Sequence, residues 1–123
     1  MHIPTERQAL IEVLLDARRL LAKPNNEFAW SSWNGSEDAL AEIDTIITKI
    51  KSANMPKREA VAFLFLATGP IQEVSVSSGW ADEFLALAER FDAAIEAAYN
   101  SGASTWFARA LNHFRQGKRP NAS

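Results

Sequence analysis

The chain has 123 residues, of which 47% are hydrophobic, and its 13 Lys and Arg against 15 Asp and Glu give a formal net charge of −2. That length predicts one compact domain over residues 1–123, which buries enough surface to fold without a disulfide or metal. The absence of cysteine excludes disulfides, thiolate zinc sites and cysteine nucleophiles, and it fits a reducing compartment. A pI near 5.7 argues against bulk attraction to nucleic acid or anionic membrane.

The first residues do not have the sequence pattern of a targeting signal. Residues 1–6 lack the basic and long apolar segments of a signal peptide. The longest apolar run, residues 60–67, is far shorter than the about 20 residues of a membrane helix. We therefore expect a cytoplasmic protein with no membrane partner, in which this run is buried core.

The first helix is predicted over Glu6–Ala22, because the apolar residues between 10 and 21 recur at spacings of three and four. Thr5 and Gln8 have the spacing of a capping box at its start. Basic residues at its end and Pro24 after it are typical of a helix C-terminus.

A loop is predicted next, since residues 24–36 combine Pro, Gly, Asn and Ser without any period. Ser36 is suited to cap a second helix, with Glu37 and Asp38 in its first turn. That helix presents one narrow apolar seam, formed by Leu40, Ile43, Ile47 and Ile50.

The run at residues 60–67 is apolar on every side, so its period does not distinguish a helix from a buried strand. Pro56 as a start signal and the lack of partner strands favour a helix. For residues 68–79, Pro70 and Gly79 favour a short helix, although two alternating valines are also typical of a strand.

The longest helix is predicted from Trp80, about 30 Å long, because one apolar stripe runs from there to Ala98. Ser104 is suited to cap a last helix, whose apolar side is formed by Trp106, Phe107, Ala110, Leu111 and Phe114. A frayed tail follows from about residue 117. The predicted fold is an all-α, single-domain bundle of four to six helices.

No catalytic or metal-binding pattern is visible. His2 and His113 have no partner at ligand spacing, and no serine lies in a nucleophile elbow. The carboxylate pairs at residues 37–38 and 82–83 fall in first helical turns, where the helix dipole explains them. We predict no catalytic residue, no cofactor and no metal, and thus not an enzyme.

The charge is divided unevenly along the chain. Residues 1–100 carry nine bases and fifteen acids, a net charge of −6, whereas the remaining residues carry +4. A phosphate backbone would be gripped by a basic tail formed by Arg109, His113, Arg115, Lys118 and Arg119. Four cations make a small footprint, so we favour a basic helix end and expect no nucleic-acid partner.

Large aromatic side chains and polar groups without an evident partner occur together in two segments, residues 28–35 and 68–80. In one interpretation, Trp30 and Trp33 fold the loop over the helices while Trp80 fixes the start of the long helix. In the other, the segments are neighbours and form a groove, with Asn25 among its rim residues. The candidate binding residues are Trp30, Ser32, Trp33, Asn34, Gln72, Glu73 and Trp80.

At these segments the chain resembles a loose group of small, mostly uncharacterised bacterial proteins. They share F-x-W-S-S-W, here residues 28–33, and T-G-P-I-Q-E followed by G-W-A-D-E-F-L-x-L-A-E-R-F-D, here residues 68–92. The resemblance implies a small helical protein of the toxin-immunity kind, and it carries over no functional residue.

Our first hypothesis is a helical interaction module of the immunity type, which inhibits a partner protein through an acidic or aromatic surface. The alternative is a small-molecule-binding domain or enzyme with a pocket between Trp30–Trp33 and Gly69–Trp80. A second alternative is weak nucleic-acid binding through the basic tail. A homodimer remains open, because the apolar seams are suited to pairing across a two-fold axis.

Overall fold

The computed structural model describes residues 3–52 and 54–100, and the regular elements in these ranges are all helical, which confirms the predicted all-α class. In chain order they are α1 (Thr5–Leu21), α2 (Ser36–Lys51), α3 (Arg58–Ala62), a 3-10 turn (Phe63–Phe65), α4 (Pro70–Ser78) and α5 (Ala81–Asn100). The helix predicted from Ser104 and the frayed tail lie outside the described residues.

Helix α1 matches its prediction within one residue at each end, but the predicted capping box at its start is wrong. Pro4 occupies the cap position, and its carbonyl accepts the N–H groups of Arg7 (2.9 Å) and Gln8 (3.3 Å). Thr5 is therefore the first helical residue, one position too late for its hydroxyl to cap the free amides.

Helix α2 also begins differently from its prediction. Ser36 is the first helical residue and makes no cap hydrogen bond, since Gly35 holds the cap position. Instead, Oδ2 of Asp38 accepts the backbone N–H of Asn34 at 3.1 Å. The seam is wider than predicted, because Ala39 and Ile46 are buried with Ile43, Ile47 and Ile50, while Leu40 is half-buried.

The apolar run at residues 60–67 is helical as predicted, but it is short and only one side of it is buried. Helix α3 ends at Ala62, the 3-10 turn follows, and the backbone becomes extended at Leu66. Phe63 and Leu66 are each 48% exposed, whereas Val61, Leu64 and Phe65 are buried. The expectation that the run as a whole is buried core is therefore wrong, since only one face of this short stretch contacts the core.

This part of the chain also contains the one stretch among the described residues that is apolar and long enough to cross a membrane. An 18-residue window within Arg58–Ser78 has a mean hydropathy of 1.4, and 44% of it is buried inside the protein. The stretch is not one continuous helix, because extended backbone at Leu66 and Gly69 separates the 3-10 turn from α4. Its apolar side chains contact α5, where the Phe65 and Phe91 rings stack with centroids 4.1 Å apart.

The short helix predicted over residues 68–79 is confirmed as α4. It starts with Pro70 and ends at Gly79, which adopts the left-handed conformation (φ 88°) that favours glycine. The carbonyl of Trp80 accepts the N–H of Phe84 at 3.0 Å, so Trp80 directly precedes α5. The predicted stripe of α5 is buried except at Ala98, which is half-buried.

Helix α1 packs against both α2 and α5, and α4 packs against α5 and the 3-10 turn. The buried apolar side chains of these elements form one cluster. Polar contacts add to it at the edges: Arg90 on α5 pairs with Asp16 on α1 at 2.8 Å, and the Tyr99 hydroxyl donates to the Pro56 carbonyl at 2.7 Å. The loop between α1 and α2 lies beside the end of α4, where the Glu27 N–H donates to the Ser78 hydroxyl.

Candidate functional site

The α1–α2 loop (residues 22–35) carries the most exposed large apolar side chain in the described part of the chain. Trp30 is 75% exposed, whereas Trp33 in the same loop is 5% exposed. Burial of an indole usually stabilises a folded protein by several kcal/mol. A tryptophan that stays exposed on an ordered loop therefore indicates a role other than core packing. The backbone around Trp30 shows how it is held.

Asn26 fixes the first part of the loop to the end of α1 and to Trp80, the residue before α5. Its Nδ2 donates to the carbonyls of Leu20 (2.8 Å) and Leu21 (3.0 Å) at the C-terminus of α1, and the Leu20 carbonyl also accepts the N–H of Lys23 at 3.3 Å. Its Oδ1 accepts the indole N–H of Trp80 at 2.8 Å. One amide side chain therefore ends α1 and satisfies the single polar group of a buried tryptophan.

Glu27 makes the next attachment. Its backbone N–H donates to the Ser78 hydroxyl at 2.8 Å, which joins the loop to the last residue of α4. Its carboxylate Oε2 accepts the backbone N–H of Ala29 at 2.8 Å, one residue before Trp30. The chain on the N-terminal side of Trp30 is thus held by both the backbone and the side chain of one residue.

A turn then presents Trp30 to solvent. The N–H of Ser31 donates to the Phe28 carbonyl at 3.0 Å, which closes a four-residue turn with Trp30 in its third position. The Ser31 hydroxyl lies 2.9 Å from the same carbonyl and accepts the N–H of Trp33 at 3.1 Å. Ser31 therefore fixes the backbone on both sides of its own position.

Trp33 anchors the C-terminal side of the loop. Its ring is buried in the core, and its Nε1–H donates to Oε1 of Glu42 on α2 at 2.8 Å. Phe28 is half-buried and packs against the same core. Trp30 thus projects from a loop that is attached to the core by an aromatic side chain on either side of it.

The predicted site residues occupy very different positions. Trp33 and Trp80 are buried, Trp30, Ser32 and Asn34 are exposed, and Gln72 and Glu73 are half-buried on α4. Among the described residues, the hydrogen bonds that join the α1–α2 loop to residues 68–80 come from Asn26 and Glu27, which precede the first predicted segment. Neither residue was predicted, although an Asn soon after a helix end is a common cap and could have indicated Asn26. The basic tail candidates Arg109, His113, Arg115, Lys118 and Arg119 lie outside the described residues.

A small depression lies where the loop meets the end of α4. It has a volume of about 220 Å³ and is lined by Lys23, Pro24, Asn25, Asn26, Ser78 and Trp80. Ligand pockets usually have volumes of about 300–1,000 Å³. The polar atoms of Asn26, Ser78 and Trp80 are also already hydrogen-bonded within the protein. This depression is therefore a weak basis for a small-molecule site.

The surface around the loop is acidic. Residues 24–48 contain five carboxylates and no Lys or Arg. Asp44 is paired with Arg18 at 2.6 Å, and the hydrogen bond from this guanidinium lowers the pKa of Asp44. The other four are exposed side chains on the loop and on α2, namely Glu27, Glu37, Asp38 and Glu42.

Comparisons with models of protein families, with curated proteins and with solved structures give no match. In residues 3–52 and 54–100, no three His, Asp or Glu side chains come together as a metal site. The candidate site is therefore described by its own geometry, which is a rigidly held, exposed tryptophan in acidic surroundings.

Proposed function

We propose that the protein is an interaction module whose partner protein binds the α1–α2 loop at Trp30. The observation that carries this proposal is the 75% exposure of Trp30 on a loop fixed by hydrogen bonds from Asn26, Glu27 and Ser31. Tryptophan is among the residues most enriched at the energetic centres of protein interfaces.

The rigidity of the loop supports binding as well as exposure does. A flexible loop loses conformational entropy when a partner orders it, and that loss subtracts from the affinity. Here the turn from Phe28 to Ser31 is already closed in the free protein. The backbone that carries the indole therefore loses little conformational entropy when a partner binds.

The four exposed carboxylates around the loop indicate the kind of partner. A surface with this charge favours a partner whose binding pocket is apolar and bordered by Lys or Arg. An immunity-type inhibitor fits this description, since it would cover a basic active site of its target. The resemblance of residues 28–33 and 68–92 to proteins of the toxin-immunity kind supports this assignment.

The test is affinity capture from the host's lysate with three matched tagged proteins: wild type, Trp30→Ala and Leu85→Ala. Leu85 is 61% exposed on α5, so Leu85→Ala removes a similar exposed apolar group at a different surface. We expect one partner that wild type and Leu85→Ala retain in equal amounts and that Trp30→Ala loses. A partner retained equally by Trp30→Ala would overturn the proposal.

The contribution of the acidic surface around the loop is tested by a separate measurement. Once a partner is in hand, Glu37→Lys is expected to slow association at low salt and to weaken its salt dependence, and Glu37 is chosen because, among the described residues, its carboxylate holds no part of the loop. An association rate that is unchanged at low salt would remove the acidic surface from the proposal and leave Trp30 as its basis.

We also infer that the helices form a single bundle, with α1 between α2 and α5 and with α4 packed against α5 and in contact with α1. The packing of α1 on both neighbours and of α4 on α5 supports this arrangement. The alternative is that the basic tail binds nucleic acid, and it is tested at low salt. If the intact protein does not bind nucleic acid under these conditions, this hypothesis is ruled out.

A further inference from the structure

A groove runs along the contact between α1 and α5. It consists of two depressions of about 300 and 280 Å³, both of which Arg90 lines. Val13 and Ala94 lie in the floor of one, and Leu20 and Leu87 lie in the other. The groove is therefore apolar at its base, and it is open to solvent on the side away from the core.

The two helices run in opposite directions along this groove. The first depression joins the start of α1, at Ala9, to the end of α5, at Ala97. The second joins Leu20, near the end of α1, to Glu83 in the first turn of α5. The chain therefore leaves α5 at Asn100, one turn beyond the groove's near end.

We propose that this groove is the docking site of the chain's own C-terminal segment, residues 104–117, bound as an amphipathic helix antiparallel to α5. The lengths agree, since 14 helical residues span about 21 Å and so does the stretch from Glu83 to Ala97. Residues 101–103 supply the connection, and helix–helix connections of two to eight residues are usual.

The side chains on the two surfaces are complementary in size. Four exposed alanines border the groove, namely Ala9, Ala86, Ala93 and Ala97. In a helix starting at Ser104, the large apolar residues recur at spacings that place them on one side, and these are Trp106, Phe107, Leu111 and Phe114. Bulky side chains packed against alanines bring two helices close together.

The charges are complementary as well. Of the three carboxylates that line the groove, Asp16 is paired with the two bases Arg19 and Arg90, so that the exposed Glu12 and Glu83 form its acidic edge. Residues 101–123 have four bases and no carboxylate. A helix with this composition is attracted to the acidic edge of the groove, and the attraction weakens as salt is added.

The test uses the absence of cysteine from the full-length chain. A nitroxide spin label on the single cysteine of Asn112→Cys, a position opposite the apolar side of a helix starting at Ser104, broadens the NMR signals of nearby amides. We expect the amides of residues 9–13 and 90–97 to lose more than half of their intensity, and the amides of α2 to keep theirs. Signals that keep their intensity along the groove would overturn the proposal.

A mixed sample separates the chain's own tail from a second copy. Spin-labelled chains without ¹⁵N are combined with ¹⁵N chains that carry no label. Broadening along the groove in this mixture would assign it to a neighbouring molecule and would also overturn the proposal.

A second variant tests the groove directly. Ala93→Leu fills the groove and is expected to restore the amide intensities at residues 9–13. Ala41→Leu, at an exposed alanine of α2, is the matched control and should leave the broadening intact. Equal broadening in both variants would mean that the segment does not occupy the groove.

Discussion

The indole N–H of Trp80 donates to Oδ1 of Asn26 at 2.8 Å, across 54 residues of sequence. The amide nitrogen of the same Asn26 donates to two carbonyls at the end of α1. Asn26 therefore connects the C-terminus of α1, the loop that carries Trp30 and the start of α5. A substitution here affects all three elements at once.

Replacement of Asn26 by leucine is expected to lower the free energy of unfolding by about 2–3 kcal/mol, because it leaves the buried indole N–H and the Leu21 carbonyl without partners and removes one of the two donors to the Leu20 carbonyl. Urea unfolding at neutral pH measures this change. Asn25→Leu is the control at an exposed neighbour and should change stability by less than about 0.5 kcal/mol. Equal effects of the two substitutions would contradict the role of Asn26.

Trp33 and Trp30 are expected to respond oppositely to truncation. Trp33→Ala removes a buried ring and should cost about 3–5 kcal/mol of unfolding free energy. Trp33→Phe keeps most of the ring but loses the hydrogen bond to Glu42, so it should cost about 1 kcal/mol. Trp30→Ala should leave the unfolding midpoint nearly unchanged. A large loss of stability in Trp30→Ala would show that this residue belongs to the core.

Gly69 lies where the chain turns between the 3-10 turn and α4, and its Cα is close to neighbouring backbone. A Cβ at this position would overlap the carbonyl oxygen of Phe63. We expect Gly69→Ala to cost about 1–3 kcal/mol, since the backbone must shift to admit the methyl group. Gly35→Ala is the control, because nothing lies within 4 Å of a Cβ there. Thermal unfolding of both variants by circular dichroism decides the point.

Asp16 on α1 is paired with Arg90 at 2.8 Å and with Arg19 at 2.6 Å. The hydrogen bond from Arg90 has the larger effect and that from Arg19 the next, and both lower the pKa of the Asp16 carboxyl below its ordinary value of 3.8. The folded state therefore gains stability from Asp16 above pH 3.8, and this gain is lost as the pH falls through the lowered value.

Asp16→Asn should accordingly reduce the free energy of unfolding at pH 7 by about 1 kcal/mol or less, as is usual for partly exposed ion pairs. The difference from wild type should shrink at acid pH and in high salt. Asp92→Asn, at an exposed carboxylate on α5, is the matched control. A difference that stayed constant from pH 7 to strongly acid pH would contradict the ion-pair explanation.

Tyr99 is the single tyrosine of the chain, so its ionisation can be followed by ultraviolet absorbance alone. Burial raises the pKa of its phenol above 10.0. The absorbance change of the folded protein should therefore occur at higher pH than that of the urea-unfolded chain. Coincident titrations would indicate that the phenol is exposed and does not donate to the Pro56 carbonyl.

The helices were predictable because their signals are local. Apolar spacing defined α1 and α5, and Pro70 with Gly79 defined α4 within one or two residues. The caps were not predictable from residue type alone, since Pro4 and Gly35 took the positions that Thr5 and Ser36 were expected to fill. In both cases the helix began at the hydroxyl-bearing residue itself, one position earlier than predicted, so the hydroxyl was no longer at the cap position.

The candidate site was predictable only in part. The sequence indicated that Trp30, Trp33 and Trp80 matter, but composition alone does not tell a buried tryptophan from an exposed one. That distinction depends on Glu42 and Asn26, which accept the two buried indole N–H groups from distant positions along the chain. Contacts of this kind have no periodic signature in a sequence.

The attachment of Glu27 to Ser78 has a consequence for the order of folding. This hydrogen bond closes a span of 51 residues, so the α1–α2 loop reaches its final shape only after α4 has docked. Refolding followed at Trp30 should therefore lag behind the formation of helix. A partner that recognises this loop would then distinguish completely folded molecules from helical intermediates.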